Sequence, residues 1–332
     1  MDLYRLGRVS WLHSQLVYHA LPRLGREGLI LCRPAEPYVS VGYHQDLHHE
    51  VDLAYCRERS IPVFRREVGG GTVYLDGHQL FYQLVLGRRN PLAPLDRGRF
   101  FRTFLGPVVR TLGEWGLDAR LEPPCDLHVG GRKISGNAAG DVEGSSVLVG
   151  NLFLDVDHDR LADVLRLPSE GLRALVGRRM EAHVTSLTRE LGAPPPVEEV
   201  AESLARNFSD VLPDLSPADV DDELVTKVSE LEGLFTSGEW LFEPGRRTPW
   251  REVKIAEGTY VYALPMAWPD GPGEVLLVAE GGRVCEVRTA GFAPAAWRRC
   301  LGCEVSPSRL REWLTRGGPP AEAGRGVAAC AG

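Results

Sequence analysis

The first segment of this 332-residue chain that could do chemistry is RREVGGGTVYLD, residues 65–76. Its three consecutive glycines lose much backbone entropy on folding, but they permit positive φ and close approach of backbone amides to a ligand. Consecutive amides in a turn bind oxyanions, and Arg65 and Arg66 could supply the counter-charge. A glycine-rich hairpin with surface arginines is the alternative interpretation.

The second such segment is DLHVGGRKISGNAA, residues 126–139, in which Lys133 opens a strand after a Gly-Gly turn. The small residues Gly136 and Ala138 leave room for a ligand against the backbone. A lysine at the mouth of such a channel suits a phosphate or a polarised acyl oxygen, although an exposed hairpin lysine has the same pattern. Three of the 38 Lys and Arg residues are lysines, namely Lys133, Lys227 and Lys254. A lysine inside a motif is therefore a distinctive feature of this chain.

Together, the two segments resemble the signature pair of the lipoate–protein ligase family, which shares a superfamily with octanoyltransferases and biotin protein ligases. The family's arginine pair, three glycines, small residue, valine, aromatic and aspartate recur from Arg65 to Asp76. Its Asp-Leu, turn, Lys-Ile-Ser-Gly-x-Ala pattern recurs from Asp126 to Ala138. The resemblance covers residues 3–211, with supporting matches at 42–46, 50–53, 150–155 and 184–187.

The resemblance implies an ATP-dependent ligase that activates lipoate or octanoate as acyl-AMP and transfers it to a lysine of a carrier protein. The carrier would be a lipoyl domain, a glycine-cleavage H protein or a lipoate-binding protein. Lys133 and Asp126 occupy the catalytic positions, and Mg²⁺ is expected on the ATP phosphates with Asp126 as its candidate protein ligand. The acyl-adenylate site implied by the resemblance comprises Arg65, Arg66, Gly69, Gly70, Gly71, Thr72, Val73, Asp76, Gly136, Ala138 and Gly150.

Departures from the family pattern leave two other functions open. Leu75 stands where many ligases have histidine, and Val149-Gly150-Asn151 stands where they have His-Gly-Thr. Cys125 lies eight residues before Lys133, and a nearby lysine favours a thiolate, so an ATP-independent octanoyl or lipoyl transferase with Cys125 as nucleophile is one alternative. A non-catalytic module that binds lipoyl groups or their carrier is the other.

The element pattern and the resemblance predict an α+β fold with two domains. A catalytic domain over 1–215, a mixed sheet flanked by helices as in biotin and lipoate protein ligases, is followed by a Pro-rich boundary. A smaller α+β accessory domain over 221–318 and a flexible tail over 319–332 complete the chain. Apolar periodicity predicts helices near 8–25, 50–59, 98–117, 159–165, 196–211, 221–233 and 306–315.

Composition restricts the partners and the cellular location that we expect for the protein. A net charge of −7 disfavours a nucleic-acid partner, and no apolar stretch reaches the length of a membrane span. The N-terminus lacks a secretory apolar region, and seven irregularly spaced cysteines fit reduced thiols better than a disulfide framework. We therefore expect a cytoplasmic monomer without nucleic-acid or membrane partners.

Overall fold

The computed structural model describes residues 1–93, 96–268, 271–290 and 295–320. The predicted tail therefore lies outside the described residues from residue 321 onward. The helices are α1 (His13–Arg23), α2 (Leu47–Glu50), α3 (Leu53–Glu58), α4 (Arg97–Glu114), α5 (His158–Asp163), α6 (Glu170–His183), α7 (Leu187–Leu191), α8 (Val197–Ser209), α9 (Asp222–Phe235), α10 (Gly238–Leu241) and α11 (Pro307–Arg316). The strands are β1 (Asp2–Val9), β2 (Gly28–Pro34), β3 (Tyr38–Val41), β4 (Val63–Arg65), β5 (Val73–Leu75), β6 (Gln79–Leu86), β7 (Ala119–Glu122), β8 (Asp126–Val129), β9 (Arg132–Val142), β10 (Ser145–Phe153), β11 (Ser216–Pro217), β12 (Arg251–Ala256), β13 (Thr259–Trp268), β14 (Gly271–Glu280) and β15 (Arg283–Ala290).

The chain forms two compact units, each assembled from two separate stretches of sequence. The first unit comprises Met1–Arg166 and Glu181–Arg246. The second comprises Leu167–Met180 and the described residues from Arg247 onward. The chain therefore passes from one unit to the other three times.

An eight-stranded mixed sheet forms the centre of the first unit, in the order β11-β1-β2-β6-β10-β9-β8-β7. Its strands alternate their side chains between two apolar layers, as expected for a sheet covered on both faces. On the face that we call the α4 face, α4 and α8 cover a core that contains Leu84, Leu127 and Leu148. On the opposite face, the α1 face, α1 and α9 cover a core that contains Phe81 and Val147.

A three-stranded sheet, in the order β4-β3-β5, lies in the same unit and carries the glycine triplet. β4 runs parallel to β3 and β5 runs antiparallel to it, so the connection from β4 to β5 must pass the end of the central strand. Residues 66–72 make this connection, and we call them the glycine loop. Val68 of the loop is fully buried in the core of the α1 face.

The second unit is built around the antiparallel meander β12-β13-β14-β15. Trp250, Trp297 and Trp313 are fully buried in its core. The segment that joins the meander from the middle of the chain is tied to it by Arg179, which forms ion pairs with Glu280 at 2.8 Å and Glu286 at 2.5 Å. Among the helices of the described residues, none has the length and apolar character needed to cross a membrane.

The α+β fold class is confirmed, whereas some predicted element bounds are wrong. Residues 8–9 end β1 and α1 begins at His13, because β1 pairs with β2 along its length. α6 falls between the predicted helices at 159–165 and 196–211. The second unit resumes at Arg247 instead of near residue 221, because α9 packs against α1 in the first unit. The division of labour between a catalytic and an accessory part stays a prediction.

Candidate active site

The Arg66 side chain fixes the backbone of the glycine loop through hydrogen bonds to its carbonyl oxygens. Its guanidinium is buried, and Nη2 donates to the carbonyl oxygens of Gly69 and Gly71, both at 2.8 Å. Nη1 donates to the carbonyl oxygen of Ser40 at 3.0 Å, which fixes the loop to β3. In a trans peptide, the carbonyl and the following N–H point in opposite directions. The amides of Gly70 and Thr72 therefore point away from the guanidinium.

Two kinds of glycine make up this loop. Gly70 has φ +96°, and a Cβ there would lie 2.8 Å from Nη2 of Arg66, so both backbone conformation and space require glycine. A Cβ on Gly69 or Gly71 would meet no protein atom within 4 Å. Protein packing does not explain these two glycines, whereas a ligand that lies directly against the backbone would.

Lys133, near the start of β9, and Asp126, at the start of β8, form an ion pair. Nζ of Lys133 lies 3.1 Å from Oδ1 of Asp126, and the carboxylate is fully buried while the lysine side chain is 16% exposed. The ammonium also lies over Gly136, where a Cβ would be 3.1 Å from Nζ. The ammonium of Lys133 therefore contacts the Asp126 carboxylate on one side and lies against the backbone of Gly136 on the other.

A β-bulge turns Lys133 towards the glycine loop. Leu127 pairs with Ser135 and His128 pairs with Lys133, so β9 has one extra residue, Ile134, at this point. Ile134 packs in the core of the α4 face, as does Leu127. Because the bulge shifts the alternation by one residue, Lys133 lies on the α1 face, together with Gly136 and Ala138.

The glycine loop faces this same stretch of β9. A Cβ at Gly70 would lie 3.4 Å from Cβ of Ala138, and a Cβ at Gly140 would lie 3.1 Å from Cγ1 of Val68. The loop therefore lies over Ala138 and Gly140, while Lys133 and Gly136 follow on the same face of the strand. Loop amides and a lysine ammonium are thus placed to bind one elongated anion.

Gln79 and Asn151 form a polar row beside Lys133 that the sequence analysis missed. Oδ1 of Asn151 accepts from the Gly136 amide at 3.1 Å, and Nδ2 donates to Oε1 of Gln79 at 2.5 Å. Asn151 was singled out as a departure from the family pattern, which was a usable signal. Gln79 is buried, and its only signal in the sequence is that it opens a strand in which most residues are apolar.

Cys125 belongs to the α4 face of the sheet. Its side chain is 9% exposed and packs in the core of that face. Sγ donates to the carbonyl oxygen of Asn137 at 3.2 Å, and Nδ2 of Asn137 donates back to the Cys125 carbonyl at 2.7 Å. Lys133, in contrast, presents its ammonium on the α1 face.

Gly150 also faces away from the glycine loop. It pairs with Tyr82 on one side and Asn137 on the other, and a Cβ there would lie 2.2 Å from Oδ1 of Asn137 and 2.3 Å from the Tyr82 ring. The missing side chain lets the Tyr82 hydroxyl reach Asn137 at 2.5 Å. Burial raises the pKa of Tyr82 well above its ordinary value, so this hydroxyl stays neutral.

The family assignment follows from the sequence that builds this arrangement. Residues 9–209, which include both the glycine loop and Lys133, match the lipoyl protein ligase A/B catalytic domain. The chain belongs to the lipoyl protein ligase A/B family. Octanoyltransferase LipM of Kyrpidia tusciae is 29% identical over 227 residues, which cover 61% of this chain and 82% of the relative. Lipoate-protein ligase A subunit 1 of Thermoplasma acidophilum is 28% identical over 215 residues, or 62% of this chain and 79% of the relative.

Solved structures of lipoyl protein ligases share the fold. A bi-partite lipoate protein ligase from Thermoplasma acidophilum, described with its E2 lipoyl domain, aligns with a TM-score of 0.65 at 27% identity, over 74% of this chain and 98% of that one. A lipoate-protein ligase A bound with ATP aligns with a TM-score of 0.61 at 27% identity, over 73% and 98%. The relatives thus include both ligases and octanoyltransferases, the two reaction types that the sequence left open.

Most of the predicted lipoyl ligase site residues lie around the glycine loop. Thr72 donates its hydroxyl hydrogen to Oε1 of Gln45 at 3.0 Å, and Val73 begins β5. Asp76 lies beyond β5, where burial raises its pKa and its carboxylate accepts from the amide of His78. The expected counter-charge role of the arginine pair does not fit these contacts, because Arg65 and Arg66 direct their donors at protein oxygens. Arg66 holds the backbone of the glycine loop, whereas Arg65 holds residues 43–45 and 241–243.

The two remaining lysines of the chain pair with neighbouring carboxylates. Lys227 on α9 pairs with Glu230, and Lys254 on β12 pairs with Glu257. Both are more exposed than Lys133. Neither lies in a motif of the family pattern.

Proposed function

We propose that this protein is an ATP-dependent ligase that activates lipoate or octanoate as acyl-AMP and transfers the acyl group to a lysine of a lipoyl carrier protein. The observation that carries the proposal is the position of the Lys133 ammonium. Buried Asp126 holds it beside the backbone of Gly136, on the same face of β9 that the glycine loop covers. A lipoate ligase with bound ATP and another described with bound lipoic acid share the fold. Those ligands are carried over to this chain as part of the proposal.

The reaction divides into two substitutions that both place negative charge on oxygen. A carboxylate oxygen of the acid attacks the α-phosphorus of ATP, and pyrophosphate leaves. The neutral amine of the carrier lysine then attacks the acyl carbon, AMP leaves, and the amine nitrogen loses a proton. Lys133 stabilises the developing charge on the phosphate and the acyl oxygen, and the loop amides bind and orient the adenylate.

Magnesium enters as MgATP, a substrate, and we assign no protein ligand for it. The candidate ligand Asp126 is fully buried, and its carboxylate already contacts the Lys133 ammonium. A carboxylate in that position orients the lysine, so Asp126 is a positioning residue and no step is derived through a metal.

The rival is an ATP-independent transferase that forms an acyl-enzyme on Cys125. The buried thiol packs in the core of the α4 face, whereas the ammonium and the glycine loop meet on the α1 face. We therefore expect Cys125→Ala to keep most of the ligase activity. Loss of activity in a folded Cys125→Ala protein, together with acyl transfer from an acyl-carrier protein by the wild type, would establish the transferase instead.

Incubation of the full chain with MgATP, lipoate or octanoate and a lipoyl domain tests the proposal directly. We expect pyrophosphate release and an acyl mass increase on the carrier that both depend on ATP. Carrier acylation without pyrophosphate release would contradict the ligase. Absence of pyrophosphate release with every medium-chain acid, combined with measurable carrier binding, would favour the non-catalytic binding module.

A further inference from the structure

A segment outside the family domain is connected to the glycine loop. Residues 237–246, which contain α10 and the loop after it, end the first unit. They lie beyond residues 9–209, which match the family's catalytic domain. We call them the 237–246 segment, and their contacts converge on Arg65, which directly precedes the glycine loop, and on Gln45, whose side chain contacts Thr72 of that loop.

Arg65 joins the segment to the loop that follows β3. Its side chain is 1% exposed, and Nη1 donates to the carbonyl oxygens of Tyr43 at 2.8 Å and Gln45 at 2.9 Å. Nη2 donates to the carbonyl oxygen of Glu243 at 2.7 Å, and Nε donates to that of Leu241 at 3.3 Å. The planar guanidinium can bridge two backbone stretches in this way, whereas a lysine ammonium is a point charge with three donors.

Further contacts join the segment to Arg65 and to residues 44–45 and complete the connection. Nε1 of Trp240 donates to the carbonyl oxygen of Arg65 at 2.9 Å, and the amide of Arg246 donates to that of His44 at 2.8 Å. Between them, Gly245 lies so close to Gln45 that a Cβ would be 2.2 Å from the Gln45 carbonyl. The segment and residues 43–46 therefore form one hydrogen-bonded layer.

The Gln45 side chain extends this layer to the glycine loop. Its Oε1 accepts from the amide of Gly42 at 3.2 Å and from the hydroxyl of Thr72 at 3.0 Å. Gly42 itself touches the loop, since a Cβ there would lie 2.1 Å from the Gly70 carbonyl oxygen. We therefore expect a displacement of residues 42–46 to displace Gly70 or Thr72 as well.

We propose that the 237–246 segment is a positioning element of the acyl site: through Arg65 and Gln45 it sets the position of the glycine loop, and with it the affinity for the acid substrate. The identity of that substrate rests on the proposed function, whereas the connection itself rests on the contacts above. The residues of the segment act through the loop and do not touch the acid.

Trp240→Phe tests the connection, because it keeps an aromatic ring beside Phe235 and Tyr43 while the N–H that donates to the Arg65 carbonyl oxygen is lost. Phe242→Ala is the matched control, since Phe242 lies in the same segment, is 46% exposed and stacks on His48. In the full chain, we expect Trp240→Phe to speed amide hydrogen exchange in residues 68–73, and Phe242→Ala to leave it unchanged.

The kinetic readout separates positioning from a general loss of stability. We expect Trp240→Phe to raise the KM for octanoate and lipoate about three- to tenfold, the equivalent of one neutral hydrogen bond, with kcat within about twofold of wild type. Gln45→Ala should raise KM similarly. The double variant should be less than additive, because both changes interrupt one path.

Unchanged exchange in residues 68–73 of a folded Trp240→Phe protein would overturn the proposal, as would faster exchange with an unaltered KM or fully additive effects of the two substitutions. Arg65→Lys provides a second variant that removes the bridging donors, and it should show the same exchange pattern. If the wild type releases no pyrophosphate with either acid, the proposed function fails, and the exchange data alone then decide whether the segment positions the loop.

Discussion

Lys133 is the side chain with which the proposed chemistry is most directly tested. We expect Lys133→Ala to lower kcat/KM for pyrophosphate release by about 10²- to 10³-fold, the usual effect of removing one group that stabilises charge in a transition state. Lys133→Arg should rescue little, because a planar guanidinium does not fit the space between Asp126 and Gly136.

Lys227→Ala is the control for this prediction, since it removes a surface lysine on α9. The measurement is steady-state pyrophosphate release at saturating MgATP, with circular dichroism to confirm folding. Near wild-type turnover by a folded Lys133→Ala protein would contradict the proposed role of Lys133 in the reaction.

His19 makes stability depend on pH. Its ring is fully buried, Nδ1 lies 2.8 Å from the Gln15 carbonyl oxygen, and Nε2 accepts from the amide of Glu67 at 3.2 Å. Burial, with a further contribution from Arg23 and Arg66, lowers its pKa from 6.5 to about 3. Between these two pH values the imidazole is protonated in the unfolded chain and neutral in the folded chain. The stability that depends on a neutral His19 is therefore complete above pH 6.5 and is lost as the pH falls towards 3.

We expect the free energy of unfolding to fall by up to about 1.4 kcal/mol per pH unit on account of His19 in this window. Urea unfolding between pH 4 and pH 7 should show a shallower slope for His19→Gln, which cannot take up the proton. The difference between the slopes of wild type and His19→Gln measures the contribution of His19. Equal slopes for His19→Gln and wild type would show that His19 does not control the effect.

The residue types of the site were predictable from the sequence, but the partners of several residues were not. Lys133 and Asp126 are seven residues apart, within a hairpin whose geometry a local pattern can indicate. The acceptors of Arg65 include carbonyl oxygens at residues 241 and 243, which no local pattern brings near. An arginine near a glycine triplet therefore suggested a ligand contact, whereas the folded chain supplies backbone oxygens in its place.

At the scale of the element, the bulge in β9 decides which side chains reach the site. Without Ile134 as the extra residue, Lys133 would lie on the face of Ser135 and Asn137. Sequence alternation alone could not show this, because the run Lys133 to Ala139 is mostly small or polar and has no clear period. α6, in contrast, was missed despite a helical spacing of buried residues: Leu172, Leu175, Val176 and Met180.

Gly150 on β10 should tolerate no side chain. A Cβ there would meet Asn137 and the Tyr82 ring within 2.4 Å, and both are buried or partly buried in hydrogen-bonded positions. We expect Gly150→Ala to lower the free energy of unfolding by about 1–3 kcal/mol, as overpacking of a core does.

Gly113→Ala is the matched control, because Gly113 lies in α4 and a Cβ there would meet nothing within 4 Å. This change should stabilise the protein by about 0.5–1 kcal/mol, since alanine loses less backbone entropy in a helix. Chemical denaturation of both variants measures the difference, and a Gly150→Ala protein as stable as wild type would contradict the packing described for β6, β9 and β10.

At the scale of the whole molecule, the three passages between units mean that the second unit cannot be removed by one cut. A chain that ends at Arg246 keeps residues 167–180 but loses the meander to which Arg179 is bound. We expect this truncation to lower solubility, because residues 167–180, which include the buried Leu172 and Val176, lose the rest of their unit.

Replacing Leu172 and Val176 by glutamine in the truncated chain should restore part of the solubility, which sedimentation of cell lysates and size-exclusion chromatography would measure. The same two substitutions in the full chain should destabilise it. A truncated chain that is fully soluble and unfolds like wild type would show that the two stretches of the second unit do not depend on each other.

The overall α+β fold and the family match over residues 9–209 were predictable because strand and helix periods, turn glycines and the family pattern agree over residues 3–211. The unit boundary was not. The Pro-rich stretch at 212–217 is a typical linker, yet α9 beyond it returns to α1 through Leu224, Val228 and Leu231. Composition shows where a chain can turn, but it does not show with which earlier helix the next one packs.

The scarcity of lysine has a consequence for the enzyme's own chemistry. Under the proposed function, an acyl-adenylate that escapes from its site would react with any neutral amine nearby, and the first amines it meets would belong to the protein itself. The described lysines each place their ammonium against a carboxylate, and an ammonium has no lone pair with which to attack. Because every Lys or Arg position apart from these three is arginine, we expect the protein surface to be a poor substrate for this intermediate and self-inactivation by acylation to be slow.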